Sequence, residues 1–298
     1  MLKSRSFDSR VPGSWSALFW FELVKMAGRR ITWVPFFTIA IIAALIVTVF
    51  YHAEFKFHRE MFKSFKLDFK NKDEFANGYY MAVHSFNPLF QLLIPIFISV
   101  ASGLMIAGEA EQGTLRACLI RPVSRSRLIL SKFIVLWAYA MLISNFTVVL
   151  LTILGIINFG TGTLYTMNVF FNNGLQGISA IPPGELPGRL VLAWLLASVG
   201  MTVLAALALL VSSLVETASM AYVITLAIYF AVFTLRAFPF LDWLHPYLFV
   251  THMLRWQQCF YSEVKMGEIF VSLIHQAGYI VAFLSAAVLL FKERDIKS

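Results

Sequence analysis

Charged residues are scarce in this sequence. They make up 13% of the 298 residues, whereas hydrophobic residues make up 59%. A soluble domain carries about 25% charged residues, and a well-buried core does not explain so large a deficit. The mean hydropathy of +0.76 points the same way. The composition therefore predicts a polytopic membrane protein rather than a soluble domain of the same length.

Motifs for catalysis and covalent cross-linking are also missing. Cys118 and Cys259 are the only cysteines, too few for a disulfide framework. The chain has no GxxxxGK[ST] loop, so we do not expect it to hydrolyse nucleotide by itself. It also lacks the HExxH pair of zinc proteases and the GxSxG elbow of hydrolases. We therefore expect no catalytic, cofactor-binding or metal site in this chain and disfavour an intramembrane enzyme.

Long apolar runs are what the chain does contain. A helix needs about 20 apolar residues to cross the hydrocarbon core. Six runs meet this requirement: 31–51, 88–107, 129–159, 190–212, 218–236 and 270–291. The predicted fold is an all-α integral membrane protein, with residues 1–298 forming one transmembrane domain. Residues 1–30 are expected to hold a polar tail and an amphipathic helix, over 14–30, that lies in the membrane interface.

Lysine and arginine counts give the orientation. With the N-terminus in the cytoplasm, 14 Lys and Arg residues lie on the cytoplasmic side and 10 on the other side. Loop 52–87 supplies six of those 10 and is the main objection, because acidic residues count little in the positive-inside rule. We predict a multi-pass protein of the inner (cytoplasmic) membrane with both termini cytoplasmic. On this topology Cys118 and Cys259 lie on opposite sides of the bilayer.

Three segments are then external loops: 52–87, 160–189 and 237–269. The first has six phenylalanines among charges over 55–75, and we favour a cap over the span ends to a platform for cargo or lipid. The second is rich in Gly, Asn and Pro and is expected to be irregular. The third carries interfacial aromatics and two prolines, Pro239 and Pro246, and can include re-entrant or interfacial helices.

Polar groups inside the predicted spans are few. Ionisable side chains are almost absent there, which argues against an ion-coupled secondary transporter, although unwound backbone can also bind Na⁺. We expect His275 and Gln276 to make helix-packing hydrogen bonds. Small residues crowd the fourth run, for example Ala197, Gly200 and Ala205. They favour close packing within the chain, with a dimer seam as the alternative.

The basic segment between the second and third runs is the most distinctive. It reads GEAEQGTLRACLIRPVSRSRLILSKF over 108–133. We predict a helix over 109–120 that ends before Pro122, and a third span capped by Ser124. Arg125, Arg127 and Lys132 then lie in the first turns of that span, where positive charge opposes the helix dipole. Anionic headgroups or an acidic partner are expected to neutralise them.

This segment resembles the one that follows the second span in permeases of the ABC-2 type. That family pattern runs roughly E-x-E-x-G-T-L, then P-V-S-R, then a lysine before the third span. The matching residues are Glu109, Glu111, Gly113, Thr114, Leu115, Pro122, Val123, Ser124, Arg125 and Lys132. A Leu-His-Pro-Tyr stretch over 244–247 and a Phe-x-x-Arg-Asp-Ile stretch over 291–296 extend the resemblance. His245 departs from the serine that is usual in the first of these.

The resemblance implies a permease subunit of an ATP-driven transporter of the export class. It implies two partners, an ATP-binding cassette ATPase that binds ATP and Mg²⁺ and a second permease copy, identical or related, within membrane lipid. The cytoplasmic loop 108–128 would be the coupling loop, and these residues would contact the ATPase: Glu109, Glu111, Gly113, Thr114, Leu115, Arg116, Pro122 and Arg125. The net charge of +8 then belongs to the cytoplasmic face, with no nucleic acid as partner. The alternative is a stand-alone secondary transporter or channel.

Overall fold

A computed structural model describes residues 15–52, 76–114, 124–167 and 178–293, which are mainly helical. The α-helices are α1 (Trp15–Ala27), α2 (Val34–His52), α3 (Gly78–Pro88), α4 (Ile94–Gly103), α5 (Ala107–Glu111), α6 (Arg125–Phe159), α7 (Leu186–Leu214), α8 (Ala218–Leu235), α9 (Phe249–Met253) and α10 (Met266–Glu293). Six segments are long and apolar enough to cross a membrane: Arg30–His52, Gly78–Gly103, Arg125–Phe159, Leu186–Leu214, Ala218–Leu235 and Met266–Glu293. The predicted all-α membrane protein with six spans is confirmed at this level.

The second span is longer than predicted. It begins at Gly78 rather than at residue 88, so the prediction that 78–87 belongs to a loop is wrong. Asn77 caps its start by accepting hydrogen bonds from the backbone N–H groups of Tyr79 and Tyr80. A π-helical turn over Leu89–Leu93 follows Pro88 and lets the helix continue past a residue without an N–H. Hydropathy alone missed residues 78–87 because many of them are polar or aromatic.

Helix α7, the fourth span, is the centre of the bundle. It packs against α4, α6, α8 and α10, and most of its apolar stretch is buried. The small residues of this helix are buried by neighbours within the same chain: Ala193, Ala197, Ser198, Gly200, Ala205, Ala206 and Ala208. Packing within the chain, the favoured interpretation of these residues, is what the structure contains.

Helices α3 and α6 cross with their backbones in contact. A Cβ atom on Gly78 would lie against the backbone of Gly155, and a Cβ atom on Gly155 would lie against that of Gly78. The backbone N–H of Gly78 also donates to the carbonyl of Gly160, at 3.0 Å. Only residues without side chains permit this approach, and the two glycines therefore fix where the second span meets the third.

Loop 160–189 contains regular structure. Strand β1 (Leu164–Met167) pairs antiparallel with strand β2 (Ile178–Ile181). The prediction of a wholly irregular loop is therefore wrong for these residues. The hydroxyl of Thr166 donates to the carbonyl of Phe260 at 2.7 Å, which joins this hairpin to the segment before α10.

Segment 237–265 folds back into the bundle. It contains three 3₁₀ turns (Pro239–Leu241, His245–Tyr247 and Leu254–Phe260) and the short helix α9. Trp256 and Cys259 are fully buried there. Met253 lies against Gly200, which is halfway along α7. Protein atoms cover this irregular backbone, which is the condition for a re-entrant helix at membrane depth. A re-entrant or interfacial position for these helices stays a prediction.

Several predictions concern other parts of the chain. The following lie outside the described residues: the six phenylalanines between 53 and 75, the Ser14 cap, Cys118 and the Leu115–Val123 part of the motif.

Candidate functional site

The first and last helices that the structure describes meet the described parts of the basic segment at one end of the bundle. This region is formed by helix α1, the turn after α4, helix α5, the start of α6 and the end of α10. We call it the junction and define it by Glu22, Glu109, Glu111, Arg125, Lys132 and Ser212. Each of these side chains contacts a helix or turn other than its own, as the hydrogen bonds described below establish.

A buried ion cluster lies at the centre of the junction. Lys132 Nζ is 2.7 Å from Glu109 Oε1 and 2.9 Å from Glu22 Oε2, and all three side chains are at most 1% exposed. Lys25 Nζ lies 2.8 Å from the same Glu109 oxygen and is partly exposed. A buried charge is tolerated only when it is paired and hydrogen-bonded. Lys132 is therefore the shared partner of the two carboxylates, and Lys25 is a second cation for Glu109.

Three helices bring this cluster together. Glu22 and Lys25 are three residues apart on one face of α1, Glu109 lies in α5, and Lys132 lies in the second turn of α6. Beside them, Arg29 Nη1 donates to the carbonyl of Leu104 at 2.9 Å and holds the turn between α4 and α5. The cluster thus joins the first helix of the chain to the second and third spans.

The face of α1 that points away from the cluster is apolar. Trp20, Phe21 and Val24 are exposed there, while Glu22 is buried. In a soluble protein the polar side chain would face outward and the apolar ones inward. The reversed arrangement suits a helix whose outer face contacts lipid.

Glu111 contacts the fifth span. Its Oε2 accepts a hydrogen bond from the backbone N–H of Ala218 at 3.0 Å, at the first residue of α8. The backbone N–H groups of a first helical turn lack intrahelical partners, and a carboxylate there also interacts favourably with the helix dipole. Glu111 is therefore a cap supplied by a residue distant in sequence.

Arg125 contacts the sixth span in the complementary way. Its Nη1 donates to the carbonyls of Phe291 and Lys292, at 3.0 and 2.9 Å, at the end of α10. A cation suits the free carbonyls of a helix C-terminus. Arg125 therefore interacts favourably with the C-terminal end of the α10 dipole. Its charge is unfavourable at the N-terminus of its own helix, α6.

Ser212 adds the fourth span to the junction. Its hydroxyl donates to the carbonyl of Gly103 at 3.2 Å and accepts from the N–H of Ala107 at 3.0 Å. These bonds fix the turn that separates α4 from α5. Together with the contacts above, they connect the ends of α4, α5, α6, α7, α8 and α10 through side chains.

The predicted helix over 109–120 is not continuous. Helix α5 ends at Glu111, and Gly113 adopts φ +67°, a left-handed conformation that ends a helix and favours glycine. The side chain of Thr114 then donates back to the carbonyl of Glu109 at 3.2 Å. The error has a physical reason, because a glycine with positive φ closes the helix two residues after α5.

The sequence-predicted contact residues occupy different environments. Glu109 is buried and lies inside the ion cluster, Arg125 is half-buried, and Glu111, Gly113 and Thr114 are exposed. Leu115, Arg116 and Pro122 lie outside the described residues. The exposed turn at 111–114 is thus attached directly to the buried cluster by Glu109.

Sequence reasoning missed the partners of Lys132. We expected lipid headgroups or a separate acidic partner to neutralise it, and the structure instead supplies Glu22 and Glu109 from the same chain. The expectation that ionisable groups are almost absent from the spans overlooked Lys132, which is buried in the third span. A signal was present, because Lys132 is the only charged residue in the apolar run 129–159, and a lone charge in such a run must find a partner.

In the last span, Gln276 makes the expected hydrogen bond to another element, whereas His275 bonds the carbonyl of Val271 in its own helix. Gln276 Nε2 donates to the carbonyl of His252 at 2.8 Å, and the ring of His275 stacks on that of His252, with centroids 4.4 Å apart. Within the described residues, no group of three or more His, Cys, Asp or Glu side chains is arranged to hold a metal ion.

Comparison with known proteins gives a family and one curated relative. Residues 40–297 match the model of a family described as "Protein of unknown function (DUF2705)". The chain is also 27% identical over 211 residues to "Uncharacterized protein YhcI" of Bacillus subtilis (strain 168). That alignment covers 70% of this chain and 66% of the relative, so the aligned part spans just under two thirds of the relative's length. Because the family model covers most of the chain, the protein belongs to the DUF2705 family.

Proposed function

We propose that this protein is the permease subunit of an ATP-driven ABC transporter of the export class. A separate ATP-binding cassette subunit would hydrolyse ATP, and a second permease copy would complete the membrane part. The observation that carries the proposal is the attachment of Glu109 to Lys132 at 2.7 Å, in full burial. It joins an exposed turn that resembles the ABC-2 coupling segment to the start of a long membrane span.

The junction has properties that suit the transmission of movement. Removing one partner from a buried ion pair costs about 3–5 kcal/mol, so α1, α5 and the start of α6 should move together. The contacts of Glu111 and Arg125 with helix termini are partly exposed and are each worth about 0.3–1 kcal/mol. These contacts can exchange during a cycle, so the ends of α8 and α10 can shift relative to the rigid group.

The resulting mechanism is a rigid-body change driven by a partner. Binding of ATP would close the ATPase subunits and displace the turn at 111–114. The buried cluster would pass this displacement to the third span and to α1, whose apolar outer face would slide in the membrane interface. The equilibrium between inward-open and outward-open states shifts only because the partner binds the two states differently.

A stand-alone secondary transporter or channel is the second candidate. Its supporting observation is the pair of buried carboxylates, Glu22 and Glu109, each with one oxygen that has no hydrogen-bond partner among the described residues. Buried carboxylates are typical of proton paths. These two lie together at one end of the bundle, however, and do not form a series across it, which favours a structural role in the junction.

The test is purification from native membranes of the tagged protein under mild detergent. We expect an ATP-binding cassette ATPase in a fixed ratio to the permease, and ATP hydrolysis by the complex once it is in lipid. The gene for that ATPase is expected beside the gene for this chain. A protein that is pure, folded and free of any such ATPase, and that moves solute under an ion gradient alone, would establish the second candidate instead.

A further inference from the structure

A polar pocket lies at the end of the bundle opposite to the junction. We call it the distal pocket and define it by Arg236, His245, His252, Arg255, Gln258 and His275, which line it. Its volume is about 290 Å³, roughly twice the size of a cavity of about 150 Å³ that holds benzene. A small headgroup-sized molecule therefore fits.

Positive charge in the distal pocket is only partly balanced. Arg255 Nη1 is 3.2 Å from Glu268 Oε2, whereas Arg236 makes no hydrogen bond or ion pair within the described residues. Burial, and next the nearby charge of Arg255, lower the pKa of Arg236. Asp242, the acidic residue in the lining, is exposed and lies 3.4 Å from His245. An anion between the two guanidinium groups would relieve their repulsion.

Other polar atoms of the lining also lack partners among the described residues. They are Arg255 Nε, His245 Nε2, Thr251 Oγ1 and Gln258 Oε1, and each is buried. Gln258 itself is only 4% exposed, and its Nε2 already donates to Glu268 at 2.9 Å. Buried polar groups are almost always hydrogen-bonded in native structures. The free Oε1 is an acceptor and so requires a donor, such as a ligand hydroxyl, beside the anion.

Exposed aromatic residues indicate the depth of the pocket in the membrane. Phe240, Trp243 and Tyr247 belong to the segment that forms one wall, and they are 75%, 69% and 69% exposed. Aromatic side chains of this kind concentrate at the level of lipid headgroups. The pocket beside them is therefore at the level of lipid phosphates.

We propose that the distal pocket binds a phosphate ester that carries hydroxyl groups, with the phosphate between Arg236 and Arg255 and a hydroxyl donating to Gln258. The headgroup of an anionic phospholipid such as phosphatidylglycerol has this chemistry at this depth. A free phosphate ester shares the chemistry, and the experiment separates the two sources. The site does not depend on whether the protein works with an ATPase.

The experiment measures the melting temperature and the affinity for ligand of the purified full-length protein. The probes are phosphatidylglycerol in phosphatidylcholine nanodiscs, soluble glycerol 3-phosphate, and inorganic phosphate. The variants are Arg236→Gln and Arg255→Gln. Lys265→Gln is the matched control, because Lys265 is an exposed cation at the same end that does not line the pocket. Lys265 lies 3.2 Å from Glu268, so this variant also shows what loss of a partner of Glu268 does by itself.

We expect phosphatidylglycerol to raise the melting temperature of the wild type and of Lys265→Gln by several degrees. Loss of one charged hydrogen bond, about 1.4 kcal/mol or more, should weaken binding at least tenfold in Arg236→Gln. Arg255→Gln gives a second reading if Arg236→Gln does not fold. A shift with glycerol 3-phosphate but none with the lipid would assign the site to a free ester. Equal shifts in wild type and both arginine variants, or no shift with any probe, would overturn the proposal.

Discussion

Lys132 and Glu109 lie 2.7 Å apart in full burial, although one belongs to a membrane span and the other to the segment that precedes it. Glu22, which is 110 residues before Lys132 in the sequence, is the second carboxylate that Lys132 contacts. This contact makes the motif segment part of the folded bundle rather than a loop on its surface. The exposed turn at 111–114 is consequently held in place from within.

Replacement of Lys132 by Met should destabilise the protein by about 3–5 kcal/mol, because Glu22 would be left buried and unpaired. Glu109 would keep only its partly exposed partners Lys25 and Arg29. Lowered thermal stability in detergent and lower yield in membranes are the measurements. The triple variant Glu22→Gln/Glu109→Gln/Lys132→Met should recover much of the loss, since it leaves no buried charge alone.

A matched control for this comparison is Arg30→Met. Arg30 is an exposed cation in the turn before α2 and lies outside the ion cluster. It should change stability by less than about 0.5 kcal/mol, the usual range for surface substitutions. If Lys132→Met were as stable as Arg30→Met, the cluster would not hold the junction together.

Sequence reasoning found the spans because apolar runs of about 20 residues have few other uses. Five of the six spans were placed within a few residues of the ends in the structure, namely those other than the second. The second was shortened because residues 78–87 are polar and aromatic, and their burial depends on the contact of Gly78 with Gly155. A contact between residues 77 positions apart leaves no periodic signal in a single sequence.

The junction could be predicted only in part, for the same reason. The motif identified Glu109, Glu111 and Arg125 as important residues, but each contacts a helix that is distant in sequence. Local charge and proline patterns predict where a helix begins or ends, and Ser124 caps α6 as expected. They do not predict which carboxylate meets which lysine, because that depends on the packing of whole helices.

The crossing of α3 and α6 gives a second prediction. Gly155→Ala should lower the melting temperature by several degrees, because its new methyl group would meet the backbone of Gly78. The same change at Gly278, in α10, meets nothing within 4 Å. Gly278→Ala should therefore be neutral or stabilising, by up to about 1 kcal/mol, since alanine is the better helix former. Equal loss in both variants would show that the crossing is not tight.

Thiol labelling gives a third prediction, about orientation. Cys259 is buried, and this burial raises the pKa of its thiol to about 12, so it should not react with maleimide in the folded protein. The signal from native membranes should then come from Cys118. We expect labelling by an impermeant maleimide in inverted vesicles, and none in right-side-out vesicles. The reverse pattern would place the motif segment outside the cell, and Cys118→Ser should abolish the signal in either case.

Coupling between the proposed ATPase and the spans is the subject of the last prediction. Glu111→Lys removes the carboxylate that caps α8 and places a cation near the helix N-terminus. Gly113→Pro cannot keep φ +67°, because proline fixes φ near −65°. Both changes alter the exposed turn without touching the buried cluster, so the protein should still insert and fold.

In the reconstituted complex, either variant should reduce transport at least tenfold while ATP hydrolysis continues and no longer responds to substrate. Glu263→Lys is the matched control, an exposed acid at the opposite end of the bundle with the same change of charge. It should leave both activities as they are in the wild type. Unchanged substrate-stimulated ATP hydrolysis in Glu111→Lys and Gly113→Pro would contradict the assignment of this turn to coupling. A contact that couples ATP hydrolysis to transport should lose that coupling when its charge and its backbone conformation are changed.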